Sequence, residues 1–217
     1  MYRIHGTTGS PFVRKVRAAF AEKDVASELV PVDIFSPPPE FVAMSPLRRI
    51  PVLEFVDETG RAPLADSSAI VVYLEAAHPQ PPLFPADPYD RGRAVWIEEY
   101  ADTVLAYQLG MGVMRPLLGA RSGTPVDQAK LDEALGKRLP PLFGYLDAAL
   151  GEAQWYAGPA WSIADLAVAA QLSGLVLVGR LDILDPWPNL ARLLDQARRR
   201  PAFASVIEAA MAALPAT

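Results

Sequence analysis

The sequence contains no cysteine. This excludes disulfides, thiolate metal sites and any catalytic or redox thiol supplied by the chain itself. Histidine is almost as scarce. His5 and His78 are the two present; they lie far apart and each reads as a strand or helix-end residue, so no metal is expected. No apolar run approaches the roughly 20 residues of a bilayer span. The longest, Leu166 to Val178, is interrupted by Gln171, Ser173 and Gly174. The first residues lack the basic and apolar blocks of a secretory signal. A net charge of −5 offers no electrostatic footprint for nucleic acid. The expectation is a soluble, cytoplasmic protein that engages neither membrane nor nucleic acid.

What is present is apolar residues and proline. Half of the 217 residues are apolar, enough for one large domain or two small ones. Proline occurs 22 times, about twice its ordinary share, and punctuates the loops.

Tyr2 to Gly6 reads as a short strand and Thr7-Thr8-Gly9 as a turn. Ser10-Pro11 opens a helix whose apolar positions Phe12, Val13, Val16, Ala19 and Phe20 recur at three- and four-residue steps. Ser suits the N-cap and Pro the first helical position. A strand feeding a helix so abruptly gathers free N–H groups at one point, which suits an anion. Glu28 to Ile34 reads as a second strand, completing a βαβ unit. After the Ser36 to Pro39 loop, Glu40 to Met44 allows one short helix. Val52 to Val56 is a third strand, Asp57 to Gly60 a hairpin turn, and Arg61 to Leu64 a short return strand placed at an edge by Pro63. Asp66-Ser67 caps a further helix with Ile70, Val71 and Leu74 as its apolar stripe.

Three segments then stand in order: Ser10-Pro11-Phe12-Val13-Arg14-Lys15-Val16-Arg17, Ser45-Pro46 with Arg49-Ile50-Pro51-Val52-Leu53, and Asp66-Ser67-Ser68-Ala69-Ile70. Their order and spacing resemble the N-terminal domain of a cytosolic glutathione transferase of the serine type. The resemblance implies an α/β thioredoxin-like domain over residues 1–78, with Pro51 in the cis form, a proline-rich linker over 79–88, and an all-α helical domain over 89–217. The residues agree with an all-helical second half. Tyr89 to about Leu118 forms a long helix. Gly119 to Pro125 is a loop. Asp127 to Leu150 repeats leucines through a helix that Pro140-Pro141 must kink or split. Ser162 with Asp165 makes a capping-box pattern, similar to the helix-nucleating segment of the transferase helical domain. Further helices start at Pro186 to Asn189 and at Pro201, the last running to Leu214.

The chemistry implied by the resemblance is binding of glutathione as co-substrate, stabilisation of its thiolate, and transfer to a hydrophobic electrophile. Moving a thiol pKa from about 8.5 to about 6.5 needs roughly 2.7 kcal/mol of preference for the thiolate. One hydrogen bond to a charged acceptor contributes about 1.5–3 kcal/mol and a helix N-terminus about 0.3–1. Ser10 matches the position of the family's activating hydroxyl and is the catalytic candidate; Thr7 and Thr8 are nearby alternatives, and Tyr2 is a poorer one because it starts the strand. By the same resemblance, Ile50 before Pro51 pairs with the cysteinyl backbone, Asp66 and Ser67 hold the γ-glutamyl group, and Arg49 meets the glycine carboxylate. The electrophile is expected against the long helix and between the domains, with Phe12, Tyr107, Met111 and Met114 as candidate contacts. A homodimer is implied by the resemblance. With no cysteine at position 10, thiol-transfer chemistry is disfavoured, while conjugation, glutathione-dependent peroxide reduction, isomerisation and β-ether-type cleavage remain open. A non-catalytic binding or interaction module on the same fold is the competing reading.

Overall fold

In the computed structural model, which describes residues 1–58, 60–121 and 123–214, the chain divides into two units, Met1–Leu83 and Phe84–Thr217. The first unit is built on a four-stranded mixed sheet of order β2-β1-β3-β4. β1 (Tyr2–Gly6) pairs in parallel with β2 (Ser27–Pro31), and α1 (Pro11–Glu22) makes the crossover. β3 (Val52–Phe55) runs antiparallel to β1, and β4 (Leu64–Ala65) antiparallel to β3. Ile4, Val52 and Leu53 are fully buried. α2 (Pro39–Met44) buries Phe41 against Val32 and Val52, with Met44 and Ile50 alongside. α3 (Ser67–Ala77) buries Ile70, Val71 and Leu74.

Three strands are shorter than expected, β3 by the single residue Val56. β2 ends at Pro31, although the Val32 N–H still reaches the Gly6 carbonyl at 3.3 Å; beyond it Ile34 and Phe35 are exposed, and the Asp33 carboxylate accepts the Phe35 N–H in an Asx turn, which turns the chain out of the strand. The return strand is confined to Leu64–Ala65, starting only after Pro63. Within the expected hairpin turn, Thr59 lies outside the described residues. The Ile50–Pro51 and Gln80–Pro81 peptides are both cis.

The second unit is helical. Pro88 to Arg121 is one continuous helix: α4 (Pro88–Tyr100), a π turn at Ala101–Leu105, α5 (Ala106–Leu109), a second π turn at Gly110–Met114, and α6 (Arg115–Arg121). It thus runs two residues past the expected start of the loop at Gly119; Ser122 of that loop lies outside the described residues. α7 (Gln128–Glu133) and α8 (Leu139–Leu150) are likewise continuous through a π turn at Ala134–Arg138. The prolines at 140 and 141 neither split this helix nor leave it regular. The carbonyls four residues before them belong to Gly136 and Lys137, inside the π turn, where the wider winding makes room for the rings and needs no Pro N–H.

α9 (Ile163–Val178) is the apolar run noted in the sequence. All of it is buried except Val176 and Val178, as expected for a helix that is apolar all round. Small residues let neighbours close in: a Cβ on Gly174 would stand 2.8 Å from the Met114 sulfur, and one on Gly112 would stand 2.7 Å from the Ala134 methyl carbon. α10 (Pro188–Arg198) is capped by another helix. The α8 carboxylate of Asp147 accepts the backbone N–H groups of Asn189 and Leu190 at 2.8 and 3.1 Å. α11 (Pro201–Ala212) completes the unit.

Candidate functional site

The register of the sheet decides which ends meet. His5, next to the end of β1, is paired with Val52 at the start of β3, and Val52 is paired in turn with Ala65 at the end of β4. The turn after β1, the Ile50–Pro51 peptide before β3 and the start of α3 after β4 therefore all lie at one end of the sheet. These are the segments that carry Ser10, Arg49, Ile50, Pro51, Asp66 and Ser67.

Ser10 is the N-cap of α1 and is half-buried. Its N–H donates to the Thr7 carbonyl at 3.1 Å, closing the turn. Its Oγ accepts the Val13 N–H at 3.4 Å, a long bond at the limit of the geometry. A cap hydroxyl accepts from the backbone, so its own proton is available to donate elsewhere. Gly6, just before the turn, has no room for a side chain: a Cβ there would stand 2.5 Å from a Val13 methyl. This close approach holds the end of β1 against the first turn of α1.

The Arg49 side chain is exposed, while its backbone is fixed from below. Buried Ser45 accepts the Arg49 N–H at 3.0 Å and donates to the Arg49 carbonyl at 2.9 Å. Arg48 takes a positive φ of 52° in the same turn. Asp66 is exposed, with φ 88°, and its Oδ1 accepts the N–H groups of Ser68 and Ala69 at 2.8 and 3.3 Å. Asp66 rather than Ser67 is thus the cap of α3; Ser67 is buried.

Two residues were missed by reading the sequence. Arg14 and Lys15 look like solvent-facing charges on α1, yet they are 2% and 0% exposed. Arg14 Nη1 donates to the carbonyls of Thr8 and Gly9 at 3.0 and 2.8 Å. Burial lowers its pKa to about 9, which still leaves it cationic at neutral pH. Lys15 Nζ donates to Ser68 Oγ at 3.2 Å, tying α1 to the first turn of α3. The only available signal was position: both follow Ser10 by about one helical turn.

Tyr2 belongs to the other end of the strand. Its hydroxyl meets Tyr73 Oη at 3.1 Å and His78 Nε2 at 3.3 Å. Burial, and then the Tyr73 contact, push its pKa up to about 12. Of the candidates for apolar contact, Phe12 is half-buried at the first turn of α1; Tyr107 and Met111 are 62% and 48% exposed, and Met114 is half-buried against Gly174 of α9. Among the described residues no group of His, Asp and Glu could hold a metal ion, and no helix is long and apolar enough to cross a membrane.

The same arrangement is found in known proteins. A family model described as "Glutathione S-transferase, N-terminal domain" matches residues 4–82, and one described as "Glutathione S-transferase, C-terminal domain" matches residues 121–209. Glutathione S-transferase GstB of Escherichia coli K12 is 30% identical over 213 residues, covering 95% of this chain and 98% of GstB. The chain belongs to the glutathione S-transferase family. FtsZ-localized protein A of Caulobacter vibrioides is 29% identical, covering 94% of this chain and 90% of its own. A glutathione S-transferase of Methylobacterium radiotolerans, solved in complex with glutathione sulfonate, superposes with a TM-score of 0.77 at 28% identity, covering 95% of this chain and 94% of that one. The thioredoxin-like first unit and helical second unit are the glutathione S-transferase fold.

Proposed function

We propose that this family member is a glutathione transferase in which Ser10 donates a hydrogen bond to the glutathione sulfur, stabilises the thiolate and so prepares it to attack a hydrophobic electrophile. The observation that carries this reading is the register that sets Ser10, Ile50–Pro51 and Asp66–Ser67 at one end of the sheet, with the Ser10 hydroxyl engaged only as the acceptor of one long bond among those described. In this reading the Ile50 backbone pairs with the cysteinyl unit, Asp66 and Ser67 hold the γ-glutamyl group, and Arg49 meets the glycine carboxylate. Tyr107 and Met111 present exposed apolar surface suited to an electrophile, and methionine adapts to varied shapes. The protein works as a cytoplasmic homodimer and needs no metal.

The test has two arms. Retention on immobilised glutathione measures binding, and conjugation of a chloronitroarene measures catalysis. The wild-type protein binds and conjugates; Ser10→Ala still binds and loses about 10- to 100-fold in rate, the worth of one hydrogen bond to a charged acceptor. A second reading, a glutathione-binding interaction module, draws support from the similarity to a relative named for its localisation with FtsZ. Binding without turnover of any electrophile, peroxide or isomerisable substrate would favour it.

A further inference from the structure

We propose that Arg14 is the positioning residue of the Ser10 turn, holding the hydroxyl in place through the carbonyls of Thr8 and Gly9. The inference rests on the reading of Ser10 given above. Residues 7 to 10 are Thr-Thr-Gly-Ser, a short turn with an exposed glycine and therefore costly to order. Every carbonyl in it has a described partner. Thr7 accepts the Ser10 N–H; Thr8 and Gly9 both accept from Nη1 of Arg14; Ser10 accepts the Arg14 backbone N–H in the first turn of α1.

The sequence position makes this possible. Arg14 follows Ser10 by four residues, so the two share a helix face, and side chains on a helix lean toward its N-terminus. A planar guanidinium nitrogen carries two N–H groups in fixed directions and can serve two successive carbonyls at once; a lysine ammonium has no such fork. The contact has two consequences. The turn is fixed, so the hydroxyl meets a bound sulfur without a search, and misplacement by about 1 Å at such a site can cost about 100-fold. The negative ends of two carbonyl dipoles are turned onto a cation instead of lying open beside the developing thiolate. Arg14 does not touch the reacting atoms; it acts through the turn that carries Ser10.

The test compares Arg14→Met, Arg14→Lys and Ser10→Ala with the wild-type protein. Two quantities are read: the pKa of the bound glutathione thiol, from the ultraviolet absorbance of the thiolate against pH, and the hydrogen-exchange rate of the Ser10 amide without ligand. Arg14→Met raises the thiol pKa by about one unit, a tenfold loss of thiolate below that pKa, and speeds Ser10 exchange at least tenfold. Arg14→Lys, which keeps the charge and loses the fork, falls between. The proposal is overturned if a folded Arg14→Met keeps the wild-type thiol pKa, or keeps the wild-type exchange rate, while Ser10→Ala raises the pKa. If Ser10→Ala itself leaves the pKa unchanged, the reading of Ser10 fails instead. Should Arg14→Met not fold, Arg14→Lys decides alone: a raised pKa supports the role and an unchanged one overturns it.

Discussion

Among the described residues, α1 and α9 both have serine as the N-cap, and the two caps are built differently. At the start of α9, Ser162 is 1% exposed, and its hydroxyl donates to the Asp165 carboxylate at 3.0 Å. The same carboxylate accepts the backbone N–H groups of Ser162 and Tyr156, each at 2.9 Å. These three donors are all used within the chain. At the start of α1, Ser10 is half-buried, its hydroxyl accepts a single bond of 3.4 Å, and no acid stands three residues on, where the sequence has Val13. The hydroxyl proton of Ser162 is consumed by structure, and that of Ser10 is available to a ligand. A serine cap is a structural device when an acid closes it; one left open, as at Ser10, keeps a donor for the chemical role proposed above.

The largest effect comes from breaking the closed corner. Asp165→Ala leaves two buried N–H groups and the Ser162 hydroxyl without their acceptor. The expected loss is about 3–5 kcal/mol, read by urea denaturation. Thiol chemistry at Ser10 in the protein that remains folded should be unaffected.

A titration sharpens the same corner. Burial raises the Asp165 pKa from 3.8 to about 6, against the lowering effect of the hydrogen bonds it accepts. A carboxyl with its folded pKa above its unfolded value contributes stability that is complete below about pH 4 and is lost as pH rises through about 6. Relative to Asp165→Asn, which cannot titrate, the wild-type protein should therefore lose up to about 3 kcal/mol between those limits and show no further difference above them. Melting temperatures of the two proteins across this range check the sign.

Much of this contrast was readable in the sequence because it is local. Caps, turn prolines and the Ser162–Asp165 spacing are signals within four residues, and they place β1, α1, α3 and α9 close to where they lie. What escaped depends on partners distant in sequence or on a winding that no single residue announces. Asp147 caps α10 from another helix, 42 residues before Asn189. Ser45 grips the Arg49 backbone on both sides only because the loop folds back on it. Arg14 and Lys15 carry charges that composition assigns to solvent, and only the turn before α1 and the start of α3 explain their burial. The π turn at Ala134–Arg138 accommodates Pro140 and Pro141 where a kink or a split was expected. The motifs that bring Ser10, Ile50–Pro51 and Asp66 to one end of the sheet were legible, while the residues that hold them in place were not.

The smaller effects separate the two serines. Ser162→Ala should cost about 1–2 kcal/mol of stability, and Ser10→Ala no more than about 1, since its cap bond is long. The pKa of the thiol of bound glutathione reverses that order, and it is the direct test of the central claim. Measured by thiolate absorbance on the wild-type protein and both variants, it should stay at the wild-type value in Ser162→Ala and rise by about one to two units in Ser10→Ala. An unchanged thiol pKa in Ser10→Ala, with glutathione still bound, would contradict the account.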